Sequence, residues 1–252
     1  MDVFKQLDQA VAAAVVEFKK EYGRDAKLED GDEFVTVFNN AVLVLSFEGD
    51  TLHTKFIGGK PYRVDMTLAI YESEEEKMEN RIEKFKEIMN PCKDRIPPVV
   101  LDYLIDNGFF TTPASINHHG AYMGALFDHS LAVTEQLLNL TNRLGLKWDF
   151  EESPRIVGMF HDLCKMDNYQ RTSSGEWGYN NEIILPGHGE KSAIMTLQLL
   201  PLSDEELYCI RWHMGAFDDK ENWNSYGRAV SKYPNVLYTH TADMIASQIM
   251  GV

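Results

Sequence analysis

The sequence predicts a mainly α-helical protein in two parts, a small α+β module over residues 1–95 and a helical domain over residues 96–252. Three observations support this division. Four short runs of extended pattern lie between residues 34 and 70, and Pro97-Pro98 then breaks the chain. Beyond that break the apolar residues recur almost entirely at helical spacing. With 252 residues, of which 44% are hydrophobic, the chain is long enough to bury a substantial core.

The first predicted element is an amphipathic helix over residues 1–22. Apolar side chains recur there at steps of three and four, and Gly23 follows as a stop signal. Four extended segments come next, over residues 34–38, 41–47, 51–57 and 62–70. Three dipeptides favour turns between them: Asn39-Asn40, Gly49-Asp50 and Gly58-Gly59. An antiparallel meander with the helix laid on one face is therefore expected.

A second helix is predicted to begin at Ser73. Glu76 lies three residues further on, which is the spacing of a capping box. The apolar stripe of this helix ends at Asn90-Pro91. The break signals on either side of it place the domain boundary between residues 72 and 98, and we assign the helix to the first module.

The charge of the chain restricts its partners. It carries 24 Lys and Arg residues against 39 Asp and Glu residues, so its formal net charge is −15. Such an acidic balance argues against a sequence-independent grip on duplex DNA, which needs cations to neutralise phosphates. A small phosphorylated substrate stays compatible, because a bound metal ion reverses the local field.

The chain is expected to reside in the cytoplasm. It has no run of 18 apolar residues that could span a membrane, and its first residues lack the pattern of a signal peptide. Its three cysteines are far apart and odd in number, which fits free thiols in a reducing compartment: Cys92, Cys164 and Cys209.

Histidine and aspartate recur along the helical part at nearly even intervals. Positions 129, 161, 188, 213 and 243 are separated by 32, 27, 25 and 30 residues, each about one helix plus one connection. This spacing lets consecutive helices of a bundle each point a ligand at a common centre. The predicted ligands are His129, His161, Asp162, His188, His213 and Asp243.

These residue types suit divalent metal ions. Imidazole and carboxylate bind first-row divalent ions, and the absence of a thiolate pair disfavours a structural zinc site. Asp162 has two oxygens and can bridge two ions, whereas His161 can bind only one. A pair of ions about 3.5–4 Å apart can hold a bridging hydroxide and also clamp a phosphoryl group. We expect two divalent ions, drawn from Mn, Fe, Ni, Mg and Zn.

The helical part resembles the HD-domain superfamily of metal-dependent phosphohydrolases over residues 115–250. The signature H…HD…D is matched by His129, His161-Asp162 and Asp243, and Lys165 meets the HDxxK extension. The additional histidines at positions 188 and 213 are similar to those of the two-metal subgroup. That subgroup includes the HD-GYP phosphodiesterases and the HD domain of certain 3′–5′ exoribonucleases. The stretch His118–His129 is similar to the exoribonuclease group.

The resemblance implies an all-helical HD domain and divides the ligands between two ions. The first ion would take His129, His161, Asp162 and Asp243. The second ion would take the bridging Asp162 together with His188 and His213.

The chain departs from the family pattern at three points. No Gly-Tyr-Pro follows His213, which argues against cyclic di-GMP as substrate. The sequence of the first module does not have the pattern of a barrel that would deliver RNA. Cys164 stands where HDxGK has a small residue, and we expect it to alter packing more than chemistry.

The implied activity is hydrolysis of a phosphoester in a nucleotide or a short oligonucleotide by a metal-bridged hydroxide. Asp162 and Lys165 would be the catalytic residues, with the Lys165 ammonium orienting the phosphate. Four further residues are candidates for substrate binding: His118, His119, Lys191 and Arg211. His240, three residues before Asp243, is expected to have a structural role.

Two alternatives of other classes stay open on the sequence. Some HD-domain proteins with a very similar ligand set hold two irons and activate O₂, so an HD-type di-iron oxygenase is the second reading. The third is a nucleotide-binding regulatory protein whose first module reports binding to a partner. The oligomeric state is left open.

Overall fold

The computed structural model describes residue 20 and residues 33–38, 41–48, 51–57, 65–67, 74–116, 120–172 and 175–252. Contacts divide the chain into two units, Met1–Lys77 and Met78–Val252. The described residues are mainly helical, which confirms the predicted fold class. Within these ranges no helix is long and apolar enough to cross a membrane. The predicted helix over residues 1–22 lies outside the described residues, apart from residue 20.

The first unit contains a four-stranded antiparallel sheet. Its strands are β1 (Glu33–Phe38), β2 (Ala41–Glu48), β3 (Thr51–Ile57) and β4 (Asp65–Thr67), in the order β1-β2-β3-β4. Phe38 pairs with Ala41 and Glu48 pairs with Thr51, so two residues connect each of the first two hairpins. The predicted meander is therefore confirmed, with the described part of its fourth strand limited to three residues.

The second unit is built from helices with one small hairpin. A π-helical segment, Ile245–Met250, continues the last α-helix. The hairpin pairs β5 (Tyr169–Arg171) with β6 (Trp177–Tyr179), and the sequence analysis did not predict it. The helices are α1 (Glu74–Met89), α2 (Val99–Asp106), α3 (Ala125–Leu144), α4 (Ser153–Phe160), α5 (Lys165–Asn168), α6 (Gly189–Leu199), α7 (Asp204–Arg211), α8 (Trp223–Lys232) and α9 (Asn235–Met244).

Helices α3 and α4 pack closely because of a glycine. A Cβ atom at Gly158 would lie 2.6 Å from the Cα of Thr134, so only glycine allows the two backbones to approach this far. Helix α9 packs on both α3 and α7. The ends of α3, α4, α7 and α9 are thereby held around one buried region.

Helix α1 packs on the helical unit. Phe85 and Met89 are buried in its hydrophobic core, and the Phe85 ring meets Phe110 edge-on at 5.8 Å. Arg81 donates two hydrogen bonds of 2.9 Å to the carboxylate of Asp128 on α3. The contact pattern divides the chain after residue 77. The sequence analysis assigned helix α1 to the first module, but most of this helix packs with the second unit.

This packing predicts a difference between two fragments. We expect residues 95–252 to unfold with a free energy at least about 3 kcal/mol lower than residues 74–252, because the loss of Phe85 and Met89 opens the core. Asp128 would also lose its Arg81 partner. Urea unfolding followed by circular dichroism measures the difference, and equal unfolding free energies would show that α1 contributes nothing to this core.

Candidate metal centre

All six predicted ligand residues lie together in the second unit. His129 lies near the start of α3, and His161-Asp162 directly follow α4. His188 is the N-cap residue of α6, His213 lies two residues after α7, and Asp243 lies in the last turn of α9. The six candidate ligands therefore lie at or directly beside the ends of helices α3, α4, α6, α7 and α9. The interval from His129 to His161 contains two helices, α3 and α4, where the sequence analysis expects one helix and one connection.

One group of donors surrounds the Nε2 atom of His129. This atom lies 3.2 Å from His161 Nε2, 3.3 Å from Asp243 Oδ1 and 3.4 Å from Asp162 Oδ2. Two donors bound to one ion at about 2.0–2.2 Å stand about 2.8–3.6 Å apart in octahedral or tetrahedral geometry. The donors around His129 therefore have the mutual spacing of ligands that share an ion.

A second group lies on the other oxygen of Asp162. Its Oδ1 atom is 2.8 Å from His188 Nε2 and 3.4 Å from His213 Nε2. Asp162 thus presents one oxygen to each group, which is the arrangement of a carboxylate that bridges two ions. Among the described residues three overlapping sets could hold a metal ion: His129, His161 and Asp243; His161, Asp162 and His213; and Asp162, Cys164 and His188. The first set lies within the group around His129, and the other two share Asp162.

Backbone oxygens orient three of the four imidazoles. The Nδ1 atom of His129 lies 3.0 Å from the Val252 oxygen, that of His161 lies 2.8 Å from the Gly158 oxygen, and that of His213 lies 2.7 Å from the Ile210 oxygen. A carbonyl oxygen only accepts, so Nδ1 donates and Nε2 is left for a metal ion. These rings are held with the ligating nitrogen already facing the centre.

Two buried polar atoms face each other without a hydrogen bond. His213 Nε2 and Asp162 Oδ1 are both buried and lack a partner of acceptable geometry, although His188 Nε2 is only 2.8 Å from the oxygen. Buried polar atoms in folded proteins nearly always have partners, and leaving them unpaired costs free energy. A cation between them would satisfy both, so the donor set fits a metal ion.

The electrostatics of the centre favour ligation. Burial lowers the pKa of His161 to about 3, which keeps its imidazole neutral. Burial opposes the charge on Asp162, but Lys165 and the nearby imidazoles hold its pKa well below the usual range. Burial likewise opposes the charge on Asp243, yet its contact with His129 lowers its pKa to about 2. Both carboxylates are therefore ionised at neutral pH.

Two imidazoles carry a positive charge at neutral pH as long as no metal ion is bound, because nearby carboxylates stabilise their protonated form. Burial lowers the pKa of His129, but its contacts with Asp162 and Asp243 outweigh burial and raise it to about 9. For His188 burial is likewise outweighed, chiefly by Asp162, and the pKa rises to about 10. A divalent ion bound by these rings takes the place of their Nε2 protons, so binding releases protons and weakens as pH falls.

The predicted catalytic lysine lies beside the centre. Lys165 Nζ is 2.5 Å from Asp162 Oδ2, and this ion pair raises the pKa of Lys165 against the effect of its burial. An ammonium group is therefore fixed next to the donor groups, where the sequence analysis expects it.

The structure gives the two other predicted cations carboxylate partners of their own. The buried Lys191 Nζ lies 2.6 Å from Asn168 Oδ1 and 2.5 Å from Asp167 Oδ2. Arg211 forms ion pairs with Glu190 and Asp218 and stacks on the Trp212 ring. Their roles in substrate binding stay predictions, and His118 and His119 lie outside the described residues.

His240 and Cys164 support the centre from outside the six ligands. His240 Nδ1 donates to the backbone oxygen of His213 at 2.8 Å, in line with its predicted structural role. Cys164 Sγ lies 3.2 Å from His188 Nδ1, a contact that sequence reasoning missed. Cys164 also belongs to a third set of metal-compatible residues, with Asp162 and His188. The position of Cys164 directly after His161-Asp162-Leu163 is the sequence feature that could have indicated a role for this thiol at the centre.

Comparison of the chain with protein-family models, with curated proteins and with solved structures found no match. The centre itself, a buried His/Asp cluster that could hold metal ions, is therefore the basis for a functional assignment.

The anchor of His129 predicts the effect of a remote glycine. Gly251 has a φ of +76° with open space around it, so Gly251→Val strains the backbone without a clash and moves the Val252 oxygen. We expect the affinity of the first ion to fall by about 10-fold to 100-fold, as for other losses of a partner behind a ligand. Competition of Mn²⁺ against a chromophoric chelator measures the affinity.

The matched control is Gly145→Val, at another glycine with positive φ and open space, at the end of α3. This variant should bind Mn²⁺ as the unmodified protein does. Equal affinities for the Gly251 and Gly145 variants would show that the carbonyl of Val252 does not support His129.

Proposed function

We propose that the protein is a metal-dependent phosphohydrolase of the HD-domain type that cleaves a phosphoester of a nucleotide or short oligonucleotide. The observation that carries the proposal is the position of Asp162, whose two oxygens each face a separate group of imidazole donors. A carboxylate between two such groups suits a pair of ions that share a phosphoryl substrate.

The HD assignment is supported by agreement between the motif and the geometry. The H…HD…D pattern and its two additional histidines select six residues out of a 252-residue chain. Those six residues converge on one buried cluster. In a chance set of histidines and aspartates, each residue would not have a ligating atom 2.8–3.5 Å from that of another member.

When bound, two divalent ions would stabilise the charge that develops on a phosphoryl group and lower the pKa of a water molecule. The residues of the chain prepare that setting. Carbonyl anchors fix three imidazoles before any ligand arrives, so little reorganisation is needed during the reaction. Lys165 adds a positive charge beside the shared carboxylate, where it can orient a phosphate oxygen.

We infer that substrate reaches the centre where its ligands are open to solvent, beside His188 or Asp243. The side chains of these two residues are 31% and 15% exposed, whereas those of His161 and His213 are fully buried. A net charge of −15 disfavours a long polyanion at this opening, so a nucleotide or short oligonucleotide fits better than a polymer.

A metal and substrate screen tests the proposal. The full-length protein is stripped with chelator and reloaded with Mn²⁺, Mg²⁺ or Ni²⁺, and then offered mono-, di-, tri- and cyclic nucleotides. Phosphate release is followed for monoesters and chromatography of products for diesters. We expect turnover with at least one ion, and no turnover by an Asp162→Asn variant purified in parallel, which controls for contaminating phosphatases.

Two results would overturn the proposal. Consumption of O₂ by the iron-loaded protein, with no hydrolysis under any ion, would indicate the di-iron oxygenase. A nucleotide that raises the melting temperature but is never consumed would indicate the regulatory protein.

A further inference from the structure

His188 differs from the other three imidazoles in how it is held. The rings of His129, His161 and His213 each have Nδ1 on a backbone oxygen, whereas His188 Nδ1 lies on the sulfur of Cys164 at 3.2 Å. His188 is also the most exposed of the four, with 31% of its side chain accessible. Among the described residues, its ring contacts Cys164, Asp162 and the neighbouring His213 ring.

Cys164 is well placed to fix a ring. Its side chain is fully buried, and its backbone N–H donates to the Ser192 hydroxyl at 3.2 Å. Ser192 is buried on α6, and its own N–H donates to the His188 carbonyl at 2.9 Å. Cys164, Ser192 and His188 therefore form a closed set of contacts that joins the His161-Asp162 turn to the start of α6.

We propose that Cys164 is a positioning residue for His188: its sulfur accepts the Nδ1 hydrogen and keeps Nε2 directed at Asp162 Oδ1. In the orientation found, Nε2 is 2.8 Å from that oxygen, on the side of the second donor group. A metal ligand of this kind binds through one nitrogen while the other donates to a fixed acceptor. The inference deepens the proposed function, since it rests on an ion bound by His188 and His213.

If Cys164 acted through packing alone, its role would not depend on a hydrogen-bond acceptor at this position. Cys164→Ala and Cys164→Ser both remove the sulfur, but only serine keeps an acceptor for the imidazole N–H. The positioning role therefore predicts a loss in the alanine variant that serine restores. A role in packing predicts that the two variants behave alike.

The test is a titration of the chelator-stripped full-length protein with Co²⁺, followed by visible absorption and by elemental analysis. The unmodified protein should take up two ions per chain. In Cys164→Ala the affinity for the second ion should fall by about 10-fold to 100-fold while the first is unchanged, and Cys164→Ser should stay within about threefold of the unmodified protein. Cys92→Ala, which removes another fully buried thiol, controls for a cavity and should change neither affinity.

Three results would overturn the inference. If Cys164→Ala binds both ions as Cys92→Ala does, the thiol does not position His188. If an intense near-ultraviolet thiolate-to-cobalt band appears and is lost in Cys164→Ser, Cys164 is a direct ligand instead. If the unmodified protein binds no ion, the inference falls together with the metal centre, whereas binding without any phosphohydrolysis leaves the inference standing and removes only the proposed activity.

Discussion

Asp162→Ala is expected to lower the rate of phosphoester hydrolysis by at least about a thousandfold, or about 4 kcal/mol in activation free energy. Asp162 is the one residue of the centre with an oxygen toward each donor group. Its loss removes a ligand from both groups and leaves the charges of two ions facing each other. The same variant should therefore lose more bound metal than a change of any other single ligand, measured by elemental analysis after desalting.

The effect on folding has to be separated from the effect on metal. Lys165 is largely buried and pairs with Asp162, so removal of the carboxylate leaves a buried ammonium without its partner. Asp162→Asn keeps the shape of the side chain and should also lose metal and activity, while circular dichroism reports its fold. Asp102→Ala, at an exposed carboxylate on α2, is the control and should keep both. An Asp162→Asn protein that retains two tightly bound ions would contradict a bridging role.

His213→Ala should reduce the metal content from about two ions per chain to about one and lower kcat by about a hundredfold or more, because one side of the phosphoryl clamp is lost. His213 and His188 face the Asp162 oxygen that points away from His129. Loss of one imidazole from this three-ligand group should empty it. On the proposed division of ligands, the first ion would keep four protein ligands: His129, His161, Asp162 and Asp243.

The informative comparison is His240→Ala. This residue supports the backbone of His213 but offers no nitrogen to the centre, so the variant should keep close to two ions. Activity and metal content measured on both variants distinguish two roles of His213, that of a metal ligand and that of a substrate-binding residue. If His213→Ala instead keeps the metal content of the unmodified protein and shows only a raised KM, this imidazole binds substrate and is not a ligand of a second ion.

The convergence of the six candidate ligands could be predicted because their residue types and their order are visible in the sequence. In the structure a pair of helices brings the chain back to the centre: α3 and α4 lie between His129 and His161, and α6 and α7 lie between His188 and His213. The meander could be predicted for a similar reason, since two-residue connections such as Asn39-Asn40 leave a strand little choice of partner.

Other features depend on tertiary contacts that no local pattern reveals. The cations Lys191 and Arg211 lie in the right region of the chain, but whether they face substrate or a carboxylate is decided by which helix packs beside them. Helix α1 has break signals at both ends, and nothing in its own sequence states on which unit Phe85 packs. The three-residue strands of the β5–β6 hairpin are too short to show an alternating pattern.

Two glycines beside the ligands extend the sequence signature of this centre. Gly158 lies three residues before His161 and allows α4 to approach Thr134, and Gly189 follows His188 where a Cβ atom would overlap the Arg211 carbonyl. Neither glycine has a side chain that could bind a metal ion, yet each sets how near the ends of two ligand-bearing helices can come. A search for distant proteins with the same centre can therefore require glycine at both places, G-x-x-H-D and H-G. That requirement separates chains able to bring the helices together from chains that merely contain the dipeptide His-Asp.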